Sequence, residues 1–295
     1  MHDPKMKDKI EHGAGFIAAL DQSGGSTPKA LKGYGVEESA YSNDDEMFAL
    51  IHGMRSRIAT APSFNGDKVI GAILFEKTMD GEADGKPMPT LLWERGIVPF
   101  LKVDKGLEDE ADGVQMMKPM PELGALLKRA KAKGVFGTKM RSVINKASPT
   151  GIAANVKQQF EVASQILDHG LMPMIEPEVN IKSDERAECD KLVLQEITKQ
   201  LDALPEDRKV MLKLSIPVEP NHYASLVDHP RVARVVALSG GFSRDEACTE
   251  LAKNRGMIAS FSRALLQDLR HGMTDAEFDQ SLGSAIDQIA KASAT

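Results

Sequence analysis

The chain has 295 residues, a formal net charge of −6 and 42% hydrophobic residues, enough for one large α/β domain and ordinary for a globular protein. A mildly acidic balance argues against non-specific nucleic-acid binding, which needs a basic face. No apolar run approaches the roughly 18 residues of a spanning helix, so no membrane segment is expected.

Eight short runs rich in apolar and β-branched residues read as strands: 16–21, 69–75, 98–104, 135–143, 172–179, 210–215, 232–239 and 257–262. Helical patterns separate them. In 43–60, Met47, Leu50, Ile51, Met54 and Ile58 share one helix face. Residues 77–89 (KTMDGEADGKPMP) read as a Gly/Pro/Asp-rich loop near the active face. Helices follow over 122–133, stopping at Gly134, over 150–169, stopping before Gly170, and over 183–204. Ser243 with Glu246, and Thr274 with Glu277, have capping-box spacing. Strand alternating with helix implies parallel pairing. Eight such units predict a single α/β domain over 1–295, a closed (β/α)8 TIM barrel, with segment 1–15 and helix 274–293 packed outside it. An open dinucleotide-binding sheet would want a GxGxxG, and none occurs.

The charges within the strands are the main clue. Lys102 and Asp104, Lys139 and Arg141, and Glu176 and Glu178 are pairs spaced by two, which puts both members on one face of a strand. Lys213 sits in Val-Met-Leu-Lys-Leu; Asp21 ends the first strand and Glu76 the second. Each alone reads as a solvated or ion-paired charge at a frayed strand end. Six consecutive strands ending this way point to charges converging on the barrel mouth, where such barrels do chemistry. A lysine flanked by Met211, Leu212 and Leu214 is strongly desolvated when charged, so burial is expected to lower its pKa, as are Lys139 and Arg141 if they share the pocket. A neutral amine attacks ketones to form an imine. Pairing of Lys213 with Glu176 or Glu178 is compatible with that reading.

Two Gly-Ser clusters read as anion cradles. Ser239-Gly240-Gly241 follows the seventh strand and precedes a capped helix, and Ser260-Phe261-Ser262-Arg263 closes the eighth. Ser23-Gly24-Gly25-Ser26 follows the first strand and starts a helix carrying Pro28 in its first turn. Each alone is also an ordinary turn. Together, with Lys102 near the second, they imply a substrate phosphorylated at both ends. The seven histidines form no HxH or HExxH, so no metal and no cofactor are expected. Cys189 and Cys248 are expected to be free thiols. The N-terminal MHDPKMKDKI has no apolar h-region, so a cytoplasmic protein is expected.

ALDQSGGST, GAILFEKTM, LKVDKGL, GTKMRSVI, IEPEV, LKLSIP, ALSGGFS and SFSRAL, in this order from about residue 15 to 265, resemble the strand-end motifs of class I (Schiff-base) fructose-1,6-bisphosphate aldolases in their short bacterial form. The resemblance implies a metal-independent, cytoplasmic aldehyde-lyase of glycolysis and gluconeogenesis. It would cleave fructose 1,6-bisphosphate to dihydroxyacetone phosphate and glyceraldehyde 3-phosphate. It implies Lys213 as the imine lysine, Glu176 as the acid/base of carbinolamine dehydration, and Glu178 as a group that orients and balances the lysines. Asp21 would take the C4 hydroxyl proton, and Lys139 and Arg141 would be substrate-binding cations. Ser239, Gly240, Gly241, Ser260 and Arg263 would hold the C1 phosphate; Ser23, Ser26 and Lys102 would hold the C6 phosphate. Partners are then a sugar phosphate and possible further copies of the chain. Gln22 and Ser262 depart from the animal members of the family, expected to carry Glu and Gly there. No terminal tyrosine follows Ala-Lys-Ala-Ser-Ala-Thr, which leaves a carboxylate at the site, or water, to protonate the enamine. A transaldolase or a monophosphate aldolase is the alternative of the same class; a surface or cytoskeletal binding role is the non-enzymatic one.

Overall fold

The computed structural model describes residues 3–295. Eight strands form one parallel sheet in chain order: β1 (Phe16–Leu20), β2 (Val69–Leu74), β3 (Val98–Lys102), β4 (Gly137–Ile144), β5 (Met172–Val179), β6 (Val210–Ser215), β7 (Val232–Leu238) and β8 (Ile258–Ala259). Each neighbouring pair from β1 to β8 is joined by a parallel ladder. The seam between β8 and β1 carries the backbone bond from Ala19 N–H to Phe261 O, 3.0 Å, and brings the sheet round into a (β/α)8 barrel.

Alternation with period two sorts the strand side chains. One set, with Phe16, Ala18, Leu20, Leu212 and Leu214 among it, packs against the surrounding helices. The other, with Ile17, Ala19, Phe100, Met174, Met211 and Val236, fills the interior. Phe100 explains two glycines in strand interiors. A Cβ on Gly71 would stand 3.3 Å from its ring, and one on Gly137 would stand 2.7 Å from it and 2.4 Å from Met172 O. The flanking strands lack side chains there because the ring occupies the space.

Helix Pro4–His12 is N-capped by Asp3 and lies at the N-terminal end of the barrel. Its Met6 and Ile10 join the interior cluster, and Arg234 of β7 donates to Glu11 O (2.8 Å) and Gly13 O (3.0 Å). The barrel is thus stoppered at one end by apolar side chains and lined by charge at the other. Helix Asp275–Ala292 packs against helices Arg244–Leu251 and Arg263–Leu266. Both expected capping boxes form.

The stretch 77–89 corrects the expectation of a loop. Helix Glu76–Asp80 is followed by a hairpin, Glu82–Ala83 with Lys86–Pro87, and then helix Met88–Glu94. Asp84 and Gly85 both have positive φ (52° and 70°), the two-residue turn that an Asp-Gly pair favours. Among the described residues no helix is long and apolar enough to cross a membrane.

Candidate active site

The C-terminal ends of the strands open into a cavity of about 1380 Å³. All the site residues named from sequence line it: Asp21, Lys102, Lys139, Arg141, Glu176, Glu178 and Lys213 at the strand ends, and Ser23, Ser26, Ser239, Gly240, Gly241, Ser260 and Arg263 on the loops above them. Period-two spacing accounts for the convergence. Several inward rows begin apolar at the barrel floor and end charged at the mouth, as in Met172, Met174, Glu176, Glu178 on β5 and Met211, Lys213 on β6.

At the centre, Glu176 bridges two lysines. Its Oε1 is 3.2 Å from Lys213 Nζ and its Oε2 is 3.0 Å from Lys139 Nζ. Lys139 Nζ is also 2.7 Å from Asp21 Oδ2. Lys139, Glu176 and Lys213 are each at most 4% exposed. Such buried charges persist only when paired, and here they alternate in sign. Burial alone would raise the Asp21 pKa; Lys139, Lys213 and Lys102 more than reverse this and hold it well below the usual carboxylate range. Burial likewise works against the Lys139 cation, but Asp21, Glu176 and Asp104 raise its pKa far above that of a free lysine.

A second layer surrounds this one. Lys102 Nζ binds Asp104 through Oδ1 (2.7 Å) and the backbone carbonyl (2.8 Å), and Asp104 Oδ2 accepts from Arg141 N–H at 3.2 Å. The Arg141 guanidinium pairs with Glu178. Glu76 stands apart. Strand β2 ends at Leu74, so Glu76 begins the following helix and pairs with Lys105 (2.7 Å) and Arg129 at the edge of the cavity.

The two cradles differ. In the first, Gly240 and Gly241 have φ of 60° and 122°, and the Arg263 guanidinium lies 3.5 Å from where a Gly241 Cβ would stand. Ser260 Oγ is buried in the cavity wall without a hydrogen-bond partner. The expected helix N-terminus is already engaged by its capping box, Ser243 N–H to Glu246 Oε2 at 2.9 Å. In the second, Ser26 Oγ accepts from Ser23 N–H (2.9 Å) and donates to Ser23 O (2.7 Å), closing the loop on itself.

Arg55 escaped the sequence reading. It lies on helix Asp44–Thr60 beside the apolar face that predicted that helix, is 1% exposed, and reaches Gln22 and Thr78 behind the mouth. Burial pulls its pKa down to about 10, with Asp21 opposing. The one signal in the sequence is an arginine next to Met54 on an otherwise apolar helix face. Cys189 and Cys248 are free, and burial pushes each thiol up to about 11, so neither is a thiolate at neutral pH.

Residues 5–221 match the family model described as class-I fructose-bisphosphate aldolase. Among solved structures, the chain resembles a fructose-bisphosphate aldolase from Plasmodium falciparum, in complex there with TRAP and a small-molecule inhibitor. Identity is 21% and the TM-score 0.77, with 98% of this chain and 94% of that one covered. It also resembles a structural-genomics protein from Corynebacterium glutamicum, at 13% identity and TM-score 0.56, with 98% and 91% covered. At these identities the two structures speak for the fold.

Proposed function

The chain belongs to the class I fructose-bisphosphate aldolase family, and from that membership and the charges at its barrel mouth we propose that it cleaves fructose 1,6-bisphosphate reversibly through an imine on Lys213. The observation that supports this reading is the Lys213–Glu176–Lys139–Asp21 chain, two amines and two carboxylates in contact within one buried row.

Lys213 passes a proton to Glu176 across their 3.2 Å contact and attacks the C2 ketone as the free amine, and Glu176 then returns that proton to the carbinolamine hydroxyl, which leaves as water. Asp21 takes the C4 hydroxyl proton, the C3–C4 bond breaks, and its electrons pass into the protonated imine to leave an enamine. Glyceraldehyde 3-phosphate departs. Protonation of the enamine at C3 and hydrolysis release dihydroxyacetone phosphate and restore the lysine. Lys139, fixed between Asp21 and Glu176, keeps the charge balanced as protons move. Glu178 holds Arg141 towards the cavity. The Ser239-Gly240-Gly241 turn with Ser260 and Arg263 takes the C1 phosphate, and the loop of Ser23 and Ser26 with Lys102 takes the C6 phosphate. The enamine proton comes from a carboxylate of the row or from water. A cytoplasmic place in glycolysis and gluconeogenesis follows from the same reading.

Borohydride added with dihydroxyacetone phosphate is expected to inactivate the protein and leave a mass adduct on the peptide containing Lys213. An adduct elsewhere, or none, rejects the assignment. Activity that survives excess EDTA separates this chemistry from that of a metal-dependent aldolase.

A further inference from the structure

The seam between β8 and β1 is spanned by more than the Ala19–Phe261 bond. Above it, the Gln22 side chain leaves the end of β1 and crosses to Ser262, with Nε2 at 2.6 Å from Ser262 Oγ and 3.3 Å from Ala19 O. Behind Gln22 lies buried Arg55. Its hydrogen bonds go to the Thr78 hydroxyl (2.7 Å), the Gln22 backbone carbonyl and Gln22 Oε1 (3.1 Å), none of them a carboxylate oxygen.

This arrangement fixes proton directions that a lone amide or hydroxyl leaves open. A guanidinium only donates, so the oxygen of the Gln22 amide must face Arg55 and its NH2 must face Ser262. The NH2 group donates to Ser262 Oγ, which therefore accepts there. The hydroxyl proton of Ser262 is left to point elsewhere, and Ser262 lines the same cavity as Arg263, whose guanidinium lies by Gly241.

We propose that Arg55 and Gln22 form a positioning relay that presents the Ser262 hydroxyl as a donor to the phosphate on the ketone-bearing half of the sugar. The proposal rests on the aldolase reading for the identity of that phosphate. A glutamate at position 22 would satisfy Arg55 better but only accepts, so the Ser262 hydroxyl would turn back to it and be lost to the ligand.

The test uses the full chain and two probes. Inorganic phosphate binding is measured by calorimetry. Borohydride trapping on Lys213 is titrated with dihydroxyacetone phosphate and with phosphate-free dihydroxyacetone. Ser262→Ala, Gln22→Glu and Gln22→Leu are each expected to weaken phosphate binding about tenfold. They should raise the half-saturating dihydroxyacetone phosphate concentration about tenfold relative to that of dihydroxyacetone, the scale of one charge-assisted hydrogen bond. Gln22→Glu should melt no lower than the parent while losing phosphate affinity, a combination that a purely structural Gln22 does not produce. The Gln22→Glu/Ser262→Ala double variant should be no weaker than Ser262→Ala alone. Unchanged phosphate binding in the variants, or additive losses in the double variant, overturns the relay even if the Lys213 adduct forms. Relay-dependent phosphate binding with no adduct in the parent would instead overturn the aldolase reading and leave the relay standing.

Discussion

Glu176 Oε1 lies 3.2 Å from Lys213 Nζ across the β5–β6 boundary, while its other oxygen faces Lys139 at 3.0 Å. One carboxylate therefore touches the proposed nucleophile and the cation beside it. Glu176→Gln keeps the volume but removes the charge and the exchangeable proton. We expect kcat to fall about 100- to 1000-fold, within the range for loss of a general acid/base. Borohydride trapping with dihydroxyacetone phosphate should slow in parallel. A kcat within threefold of the parent would reject the role.

The Asp21–Lys139 pair yields a pH prediction. Asp21 is held below the usual carboxylate range, so its native pKa is depressed relative to the unfolded chain. Its contribution to stability is present above the unfolded value, about 4, and is lost as the pH falls through the native value below that. Asp21→Asn should be less stable than the parent at pH 7 by about 3 kcal/mol, the scale for breaking a buried pair. The gap should narrow on acidification below about pH 4. Denaturation curves at pH 7 and pH 3 check this, and a constant gap contradicts it.

Replacing Lys139 acts in the opposite sense on activity. Among the influences that lower the Asp21 pKa, Lys139 is the largest, and without it burial, which raises that pKa, is opposed by Lys213 and Lys102 alone. In Lys139→Met the acid limb of kcat/KM should move to higher pH. A limb at the parent's position would mean that Asp21 is not the group titrating there.

The two cradles should separate substrates. Ser26→Ala opens the loop that Ser26 closes on Ser23 and should raise KM for fructose 1,6-bisphosphate much more than for fructose 1-phosphate. Arg263→Ala should raise KM for both. Equal responses of the two substrates to Ser26→Ala would remove the support for a bisphosphate.

Gly137→Ala probes the packing beneath the site. Its Cβ would stand 2.4 Å from Met172 O and 2.7 Å from the Phe100 ring, and only the ring can yield. Overpacking of this kind costs about 1–3 kcal/mol. A chemical-denaturation midpoint equal to the parent's would show that the floor of the barrel is looser than the contacts imply.

Much of the buried charged row was legible before folding because its signals are local. The spacing of two in Lys139/Arg141 and Glu176/Glu178 put both members of each pair on one strand face, and Lys213 among Met211, Leu212 and Leu214 announced a charge in a core strand. The hairpin around Asp84-Gly85 was missed although its turn pair is a strong signal, because the Gly/Pro-rich composition of the stretch suggested irregular chain. Glu76 was placed with the strand ends by position alone; β2 stops two residues earlier, and the helix start turns its carboxylate to Lys105 and Arg129.

The sequence by itself determined the alternation of strands and helices, the face each inward row presents, and the residue types at the mouth, since periodicity and short motifs act over a few residues. Tertiary structure alone decided which charges pair. Lys139 takes Asp21 from just beyond β1 and Glu176 from β5, more than thirty residues away in either direction, and Arg55 comes from a helix to meet Gln22 and Thr78. Those partnerships depend on the closure and stagger of the barrel. Side-chain reach is only a few ångströms, so the pairing of two ionic groups is set by where the backbone brings them.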